Sequence, residues 1–148
     1  VDAGANIIQI FDSWAGLLPI SELNKFCFEP TSKIANYVKS LKIPTICFPR
    51  GIKKNYLNFC NIIKPDCLSI DYEINPKWVK DNIKKTVIQG GLDPKILLQD
   101  NERIKKEVNK YLDIFRDHPY IFNLGHGVLP ETNPETIKYV TNLVREYK

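Results

Sequence analysis

No run of apolar residues in this 148-residue sequence approaches the ~20 needed to cross a bilayer, and its start lacks the basic-then-apolar pattern of a secretion signal. Neither a membrane nor an exported protein is implied, and the cytoplasm is the expected compartment. There is no arginine-rich block of the kind that tracks a phosphate backbone. The net charge of +4 comes mainly from lysines spread along presumed helices, so nucleic acid is not an expected partner. No strand-like run leads into a G-x-G-x-x-G turn and no P-loop is present, which argues against a dinucleotide cradle. The four cysteines, Cys27, Cys47, Cys60 and Cys67, lack close C-x-x-C spacing and sit inside apolar runs, as buried reduced thiols do. Methionine is absent even from position 1, and residues 1–5 read as the end of a helix entering a strand. The expectation is a chain that begins inside a larger unit.

What is present is an ordinary globular composition, 43% hydrophobic and 26% charged, that of a chain that buries a core rather than of a disordered one. Residues 6–11 are an apolar run bounded by Gly4 and by Asp12-Ser13-Trp14-Ala15-Gly16, a buried strand followed by a loop. Between Ser21 and Lys42 helical spacing of Ile34, Val38 and Leu41 predicts a helix, with Pro30 separating it from a shorter one before. Residues 45–48 are the next strand, punctuated by Pro44 and by Pro49-Arg50-Gly51. A helix over 55–63 carries Leu57, Cys60 and Ile63, and Lys64-Pro65 closes it. Residues 67–71 form a third strand. Asn75-Pro76 caps and starts another helix, with Val79 and Ile83 inward. A fourth strand over 86–89 enters the turn Gly90-Gly91-Leu92-Asp93-Pro94. A long helix follows from Asn101 to His118-Pro119, with Ile104, Val108, Leu112 and Phe115 inward. Residues 120–124 are the fifth strand. Thr132-Asn133-Pro134-Glu135 then opens a last helix whose inner face is Ile137, Val140, Val144 and Tyr147.

Strand and helix therefore alternate five times, which means parallel strands joined by right-handed crossovers. An open doubly wound sheet and part of a (β/α)₈ barrel both satisfy the pattern, since either uses about 30 residues per unit. Both gather the loops after the strands on one face. Asp12, Ser13, Arg50, Asp71, Gln89, Asp93 and His126 fall there. The stretch Tyr120-Ile121-Phe122-Asn123-Leu124-Gly125-His126-Gly127 stands out, because glycines on both sides of an imidazole let backbone and ligand approach it. A solvated turn histidine and a site residue both fit that pattern.

Five segments carry a family resemblance: Phe11-Asp12-Ser13-Trp14-Ala15-Gly16, Phe48-Pro49-Arg50-Gly51, Ser69-Ile70-Asp71-Tyr72, Gln89-Gly90-Gly91-Leu92-Asp93-Pro94 and Asn123-Leu124-Gly125-His126-Gly127. In this order and at these intervals they resemble the C-terminal part of uroporphyrinogen decarboxylase. The resemblance implies that residues 1–148 are the last five strand–helix units of a (β/α)₈ TIM barrel, incomplete without its N-terminal segment, and that the complete enzyme is a homodimer. It also implies cofactor-free removal of four acetate carboxyls from uroporphyrinogen to leave the methyl groups of coproporphyrinogen in haem synthesis. Residue by residue, Ser13 matches the family's substrate-binding hydroxyl, His126 the histidine of the closing G-H-G and Phe11 an aromatic of the pocket wall. Tyr72 stands where an Asp-Trp pair is usual, and Gly91 where asparagine is. The family's N-terminal arginines and central aspartate have no counterpart in this chain.

Loss of carbon dioxide from an acetate leaves electrons that a protonated pyrrole ring can accept, so the substrate is its own electron sink. The protein must add a proton donor, a negative group and polar holders for the carboxylates. Ser13 and a protonated His126 suit the last of these, as positioning groups rather than proton donors. A cap on the helix that follows is the plainer reading of Ser13, and the motif around it favours the pocket role. Arg50, a surface guanidinium in the plainer reading, is a further candidate for a carboxylate. Asp71 and Asp93 read as loop and capping carboxylates, and His118 as solvent-facing. Zinc-dependent methyltransferases of the same barrel are the rival enzyme class, but no cysteine follows Cys67 to serve as a ligand, so no metal is expected. A truncated or split product, inactive alone, is the other alternative, because five barrel strands leave two open edges.

Overall fold

The computed structural model describes residues 1–148. Five parallel strands lie in sequence order in one sheet: β1 (Ile8–Asp12), β2 (Thr45–Pro49), β3 (Cys67–Ile70), β4 (Val87–Gly90) and β5 (Tyr120–Ile121). Between and after them run α1 (Glu29–Ser40), α2 (Tyr56–Ile63), α3 (Pro76–Asn82), α4 (Asn101–Ile114) and α5 (Pro134–Glu146). The alternation legible in the sequence is therefore the observed one.

Register separates the two faces of the sheet. Cys47 pairs with Leu68 and Leu68 with Ile88, and these three are fully buried. They join Ala35 of α1, Tyr56 and Phe59 of α2, Val79 of α3, Val108 of α4 and Val140 of α5 in one core cluster. All five helices thus pack on the same face, whereas a doubly wound sheet carries helices on both. The opposite face shows Phe11 beside Phe48, Ser69 beside Gln89 and Gln89 beside Ile121. That face has no helix over it, and Phe11 is 65% exposed.

Local chemistry explains the element ends. Asn75 accepts bonds from the backbone N–H groups of Lys77 and Trp78, Asp100 from Arg103 and Asn133 from Glu135, each a cap worth about 1 kcal/mol. Lys64, in the left-handed region at φ 51, ends α2 just before Pro65.

Several expectations are corrected. Pro30 does not split two helices: a π turn over Asn24–Phe28 runs directly into α1, and Pro30 sits in the first turn of α1, where a missing N–H is tolerated. On α1 the buried residues are Thr31, Ala35 and Val38, while Ile34 and Leu41 lie on the exposed flank of the stripe. On α5 Val140 is buried and Ile137 is exposed, and Tyr147 falls just past the helix end. A 3₁₀ helix over Pro94–Leu98, unforeseen in the sequence, follows the double-glycine turn. The fifth strand keeps only Tyr120–Ile121 plus one bridge between Leu92 and Leu124.

All four cysteines are buried and unpaired. Burial pushes the Cys27, Cys47 and Cys67 thiols from 9.0 up to about 12, and Cys60 up to about 11. A raised pKa in the folded state means that the unfolded chain releases protons first as pH climbs past 9. Stability is then fully present below that pH and falls above it, by about 1.4 kcal/mol per thiol for each pH unit until the folded value is reached. A urea midpoint dropping steeply between pH 9 and 11, with thiol labelling at pH 8 only after unfolding, is the expected result. Rapid labelling of the native chain at pH 8 would contradict it.

Candidate functional site

The cavity on the helix-free face, about 300 Å³, is lined by Gln9, Phe11, Ser13, Phe48, Ser69, Gln89, Asn123, Leu124, His126 and Gly127. It lies toward the carboxyl ends of the strands, where parallel α/β proteins place their ligands. Ser13 and His126, brought from the two outermost strands, share it with Phe11. Phe11 meets Phe48 edge to face, with centroids 5.9 Å apart, to make an aromatic wall.

Ser13 follows β1 directly. The short 3₁₀ turn after it begins with Trp14 as its cap and has no side-chain bond at its start, so Ser13 caps no helix. The loop carrying it is stitched to the loop after β2 by two backbone bonds, Arg50 N–H to Asp12 O at 3.0 Å and Gly16 N–H to Arg50 O at 2.8 Å. Gly16 makes that contact possible, since a Cβ there would stand 2.7 Å from the Gly51 backbone. Arg50 is half-buried and lines a separate cleft of about 140 Å³ with Ser13, Trp14 and Glu73. The structure thus places Arg50 next to the cavity, with Ser13 on the shared border.

His126 is exposed. The Gly127 N–H donates to its Nδ1 at 2.7 Å, so the neutral ring carries its hydrogen on Nε2. Nε2 is the ring nitrogen left free to face a ligand. The two flanking glycines differ. A Cβ on Gly125 would sit 2.5 Å from Tyr72 N, whereas one on Gly127 meets nothing within 4 Å.

Asp71 is a fold carboxylate. Buried to 2% exposure, it accepts from Tyr56 O–H at 2.6 Å, Gly51 N–H at 2.7 Å, Glu73 N–H at 2.8 Å and Ile74 N–H at 3.3 Å. It pins the loops behind the site. Burial and the neighbouring Asp71 charge raise the Tyr56 hydroxyl well above its usual pKa, which keeps it a donor. Asp93 accepts from Lys95 N–H at the start of the 3₁₀ helix, as a cap. His118 is a correction: its Nε2 lies 3.0 Å from Thr86 O, part-buried, and ties the approach to β5 onto that to β4.

Ser69, Gln9 and Asn123 were missed as cavity residues. The available signal was the alternation Cys67-Leu68-Ser69-Ile70, which puts serine opposite the helix-facing residues. No three His, Cys, Asp or Glu side chains converge as a metal ion would require. No helix is long and apolar enough to cross a membrane.

A parallel sheet wound by helices on one face, with polar and aromatic side chains around a cavity at its carboxyl end, defines an α/β unit of the singly wound kind. Within that class the chain belongs to the uroporphyrinogen decarboxylase (URO-D) family, whose profile matches residues 1–147. Similar proteins named uroporphyrinogen decarboxylase occur in Rickettsia bellii, 44% identical over all of this chain, and Rickettsia felis, 41% identical over 99% of it. Another, from Cereibacter sphaeroides, is 34% identical over 98% of it. The chain spans 44%, 43% and 43% of those proteins.

Proposed function

We propose that residues 1–148 supply the last five strand–helix units of a (β/α)₈ barrel and, with them, part of the substrate pocket of a uroporphyrinogen decarboxylase. The reaction removes four acetate carboxyls from uroporphyrinogen III to give coproporphyrinogen III, without a cofactor. One observation carries this reading: Phe11, Ser13 and His126, separated by over a hundred positions, border one cavity on the face that the helices leave bare. The closed barrel, a cytoplasmic setting and a homodimer of the completed enzyme are part of the same proposal, and they rest on family membership.

In this reading the Ser13 hydroxyl and the His126 Nε2–H each give a hydrogen bond to a substrate carboxylate, and the Phe11–Phe48 wall packs against the macrocycle. Neither polar residue delivers the proton that replaces carbon dioxide. The groups that stabilise the cationic ring come from the remainder of the barrel, so the chain alone is inactive.

Co-expression with the N-terminal part of the Rickettsia bellii relative tests the proposal. Under anaerobic conditions the chain alone should form no coproporphyrinogen, and the co-purified complex should form it. Product from the chain alone, or a stable complex without turnover, refutes the reading. Within an active complex, Ser13→Ala and His126→Ala should each raise KM about tenfold, as loss of one hydrogen bond to a charged group does. His126→Ala that abolishes turnover while affinity stays unchanged would show that the imidazole is the proton donor instead.

A further inference from the structure

We propose that a cavity at the amino ends of β3 and β4 is a second ligand site and takes a small organic polyphosphate, with phosphates on Lys64, Lys84 and Lys85 and an apolar ring on Leu57, Ile83 and Val87. This cavity holds about 890 Å³, roughly three times the 300 Å³ of the candidate substrate cavity. It lies between the carboxyl ends of α2 and α3, where residues 64–66 and 84–86 lead into β3 and β4. Ser13 and His126 stand at the other end of the strands.

Positive charge is gathered here. Together with the adjoining cleft, which Lys39 and Lys42 border, the cavity is lined by five lysines and one carboxylate, Asp66, a net charge of +4 that equals that of the whole chain. Asp66 is already engaged, since its Oδ2 accepts from the N–H and the hydroxyl of Thr45 at 2.8 and 3.2 Å. Every ion pair of the chain uses another cation, so these lysines are without a carboxylate partner. Helix capping does not account for them. Lys39 Nζ donates to Ile63 O at 3.3 Å and to Lys64 O, which serves the end of α2 without the Lys64 side chain. Lys84 and Lys85 lie beyond the last turn of α3, where the pull of the helix dipole has faded. Lys64 itself, at φ 51, occupies a helix-ending position that favours glycine, so its side chain is carried against the backbone preference.

The lining narrows the ligand class. Ammonium groups on flexible stems meet phosphate as point charges, whereas a single carboxylate suits the planar fork of an arginine, and no arginine lines this cavity. Leu57, Ile83 and Val87 supply apolar surface beside the lysines, and Asn61, Asn82 and Thr86 supply polar groups for a ring edge. A concave lining of this size fits a small molecule rather than a flat acidic surface.

The inference rests on no part of the decarboxylase reading, and its test needs no turnover. The purified 148-residue chain is titrated calorimetrically with ATP and with inorganic tripolyphosphate at physiological ionic strength. ATP should fill one saturable site and bind more tightly than tripolyphosphate. Lys84→Gln combined with Lys85→Gln should weaken both probes about tenfold, as loss of charge-assisted bonds does. Lys105→Gln combined with Lys106→Gln, the same change of charge at exposed positions of α4, should leave both within twofold. Leu57→Asn should weaken ATP and spare tripolyphosphate. If Leu57→Asn does not fold, Leu57→Ala takes its place. Absence of saturable ATP binding, or equal losses from the two lysine pairs, overturns the site. Equal affinity for ATP and tripolyphosphate overturns the apolar ring contact. A chain that binds as expected but forms no active complex with its N-terminal partner counts against the function proposed above and not against this site.

Discussion

Asp71→Ala should lower the stability of the folded chain by about 3–5 kcal/mol, a large part of the roughly 5–15 kcal/mol that holds a typical domain together. The carboxylate takes four donors, and three of them, Gly51, Glu73 and Ile74, are backbone groups in loops with no alternative partner in a strand or helix. Its removal strands these donors together with the Tyr56 hydroxyl, which has no exposure to solvent. Each orphaned group forfeits its bond and still bears its desolvation. Tyr56→Phe takes away one donor and leaves the carboxylate three others, so its cost should be about 1–1.5 kcal/mol. The urea midpoints of the two variants measure the difference. An Asp71→Ala variant as stable as Tyr56→Phe would show that the loops do not depend on the carboxylate.

Gly125→Ala should be almost as damaging, at about 3 kcal/mol, because the atoms that an added methyl would meet are backbone. Tyr72 N lies 2.5 Å and Asp71 C 2.8 Å from the ideal Cβ position. Neither can rotate away, so the strand end must lift and carry His126 out of the cavity. Gly127→Ala meets nothing within 4 Å and should stay within about 0.5 kcal/mol of the parent. Thermal melts of the two alanine variants, one position either side of the same imidazole, provide the comparison. Equal losses would rule out the close approach at Gly125 as the cause.

The strands and most helices were legible because proline, glycine and asparagine mark their ends with chemistry that acts locally. Asn75-Pro76 and Asn133-Pro134 open α3 and α5 as expected, each asparagine bonding backbone N–H groups beyond it. Misreadings arose where a distant or unusual partner decided the outcome. The ladder of the fifth strand breaks after Ile121, where its partner enters Gly90 and Gly91 with φ of 86 and 100, and returns only as the single Leu92–Leu124 bridge. Ile34, Leu41 and Ile137 have the right period, but periodicity marks a stripe and not how much of it a neighbour covers. The choice between a doubly wound sheet and a singly wound one was also out of reach, since both produce the same alternation of elements.

Of the site, the loop residues Ser13 and His126 and the strand-end aromatic Phe11 could be placed from their motifs. Gln89 could be placed on the functional face, but its partner could not. A lone serine inside Cys67-Leu68-Ser69-Ile70 reads as part of a buried run, and only the pairing of β3 with β4 shows which residue its hydroxyl meets. Asp71 was recognisable as a loop carboxylate. That its strongest donor is a tyrosine fifteen positions earlier, on a helix, is a product of the crossover and not of any local signal.

The two outer strands are unequal. β1 offers five residues along its unpaired side and β5 offers two. Backbone groups on such a border are satisfied in proportion to the length of what they match, so a newly arriving strand gains more than twice as many partners beside Ile8–Asp12 as beside Tyr120–Ile121. Of the two borders of this sheet, the β5 side is therefore the one that would hold an added strand less firmly.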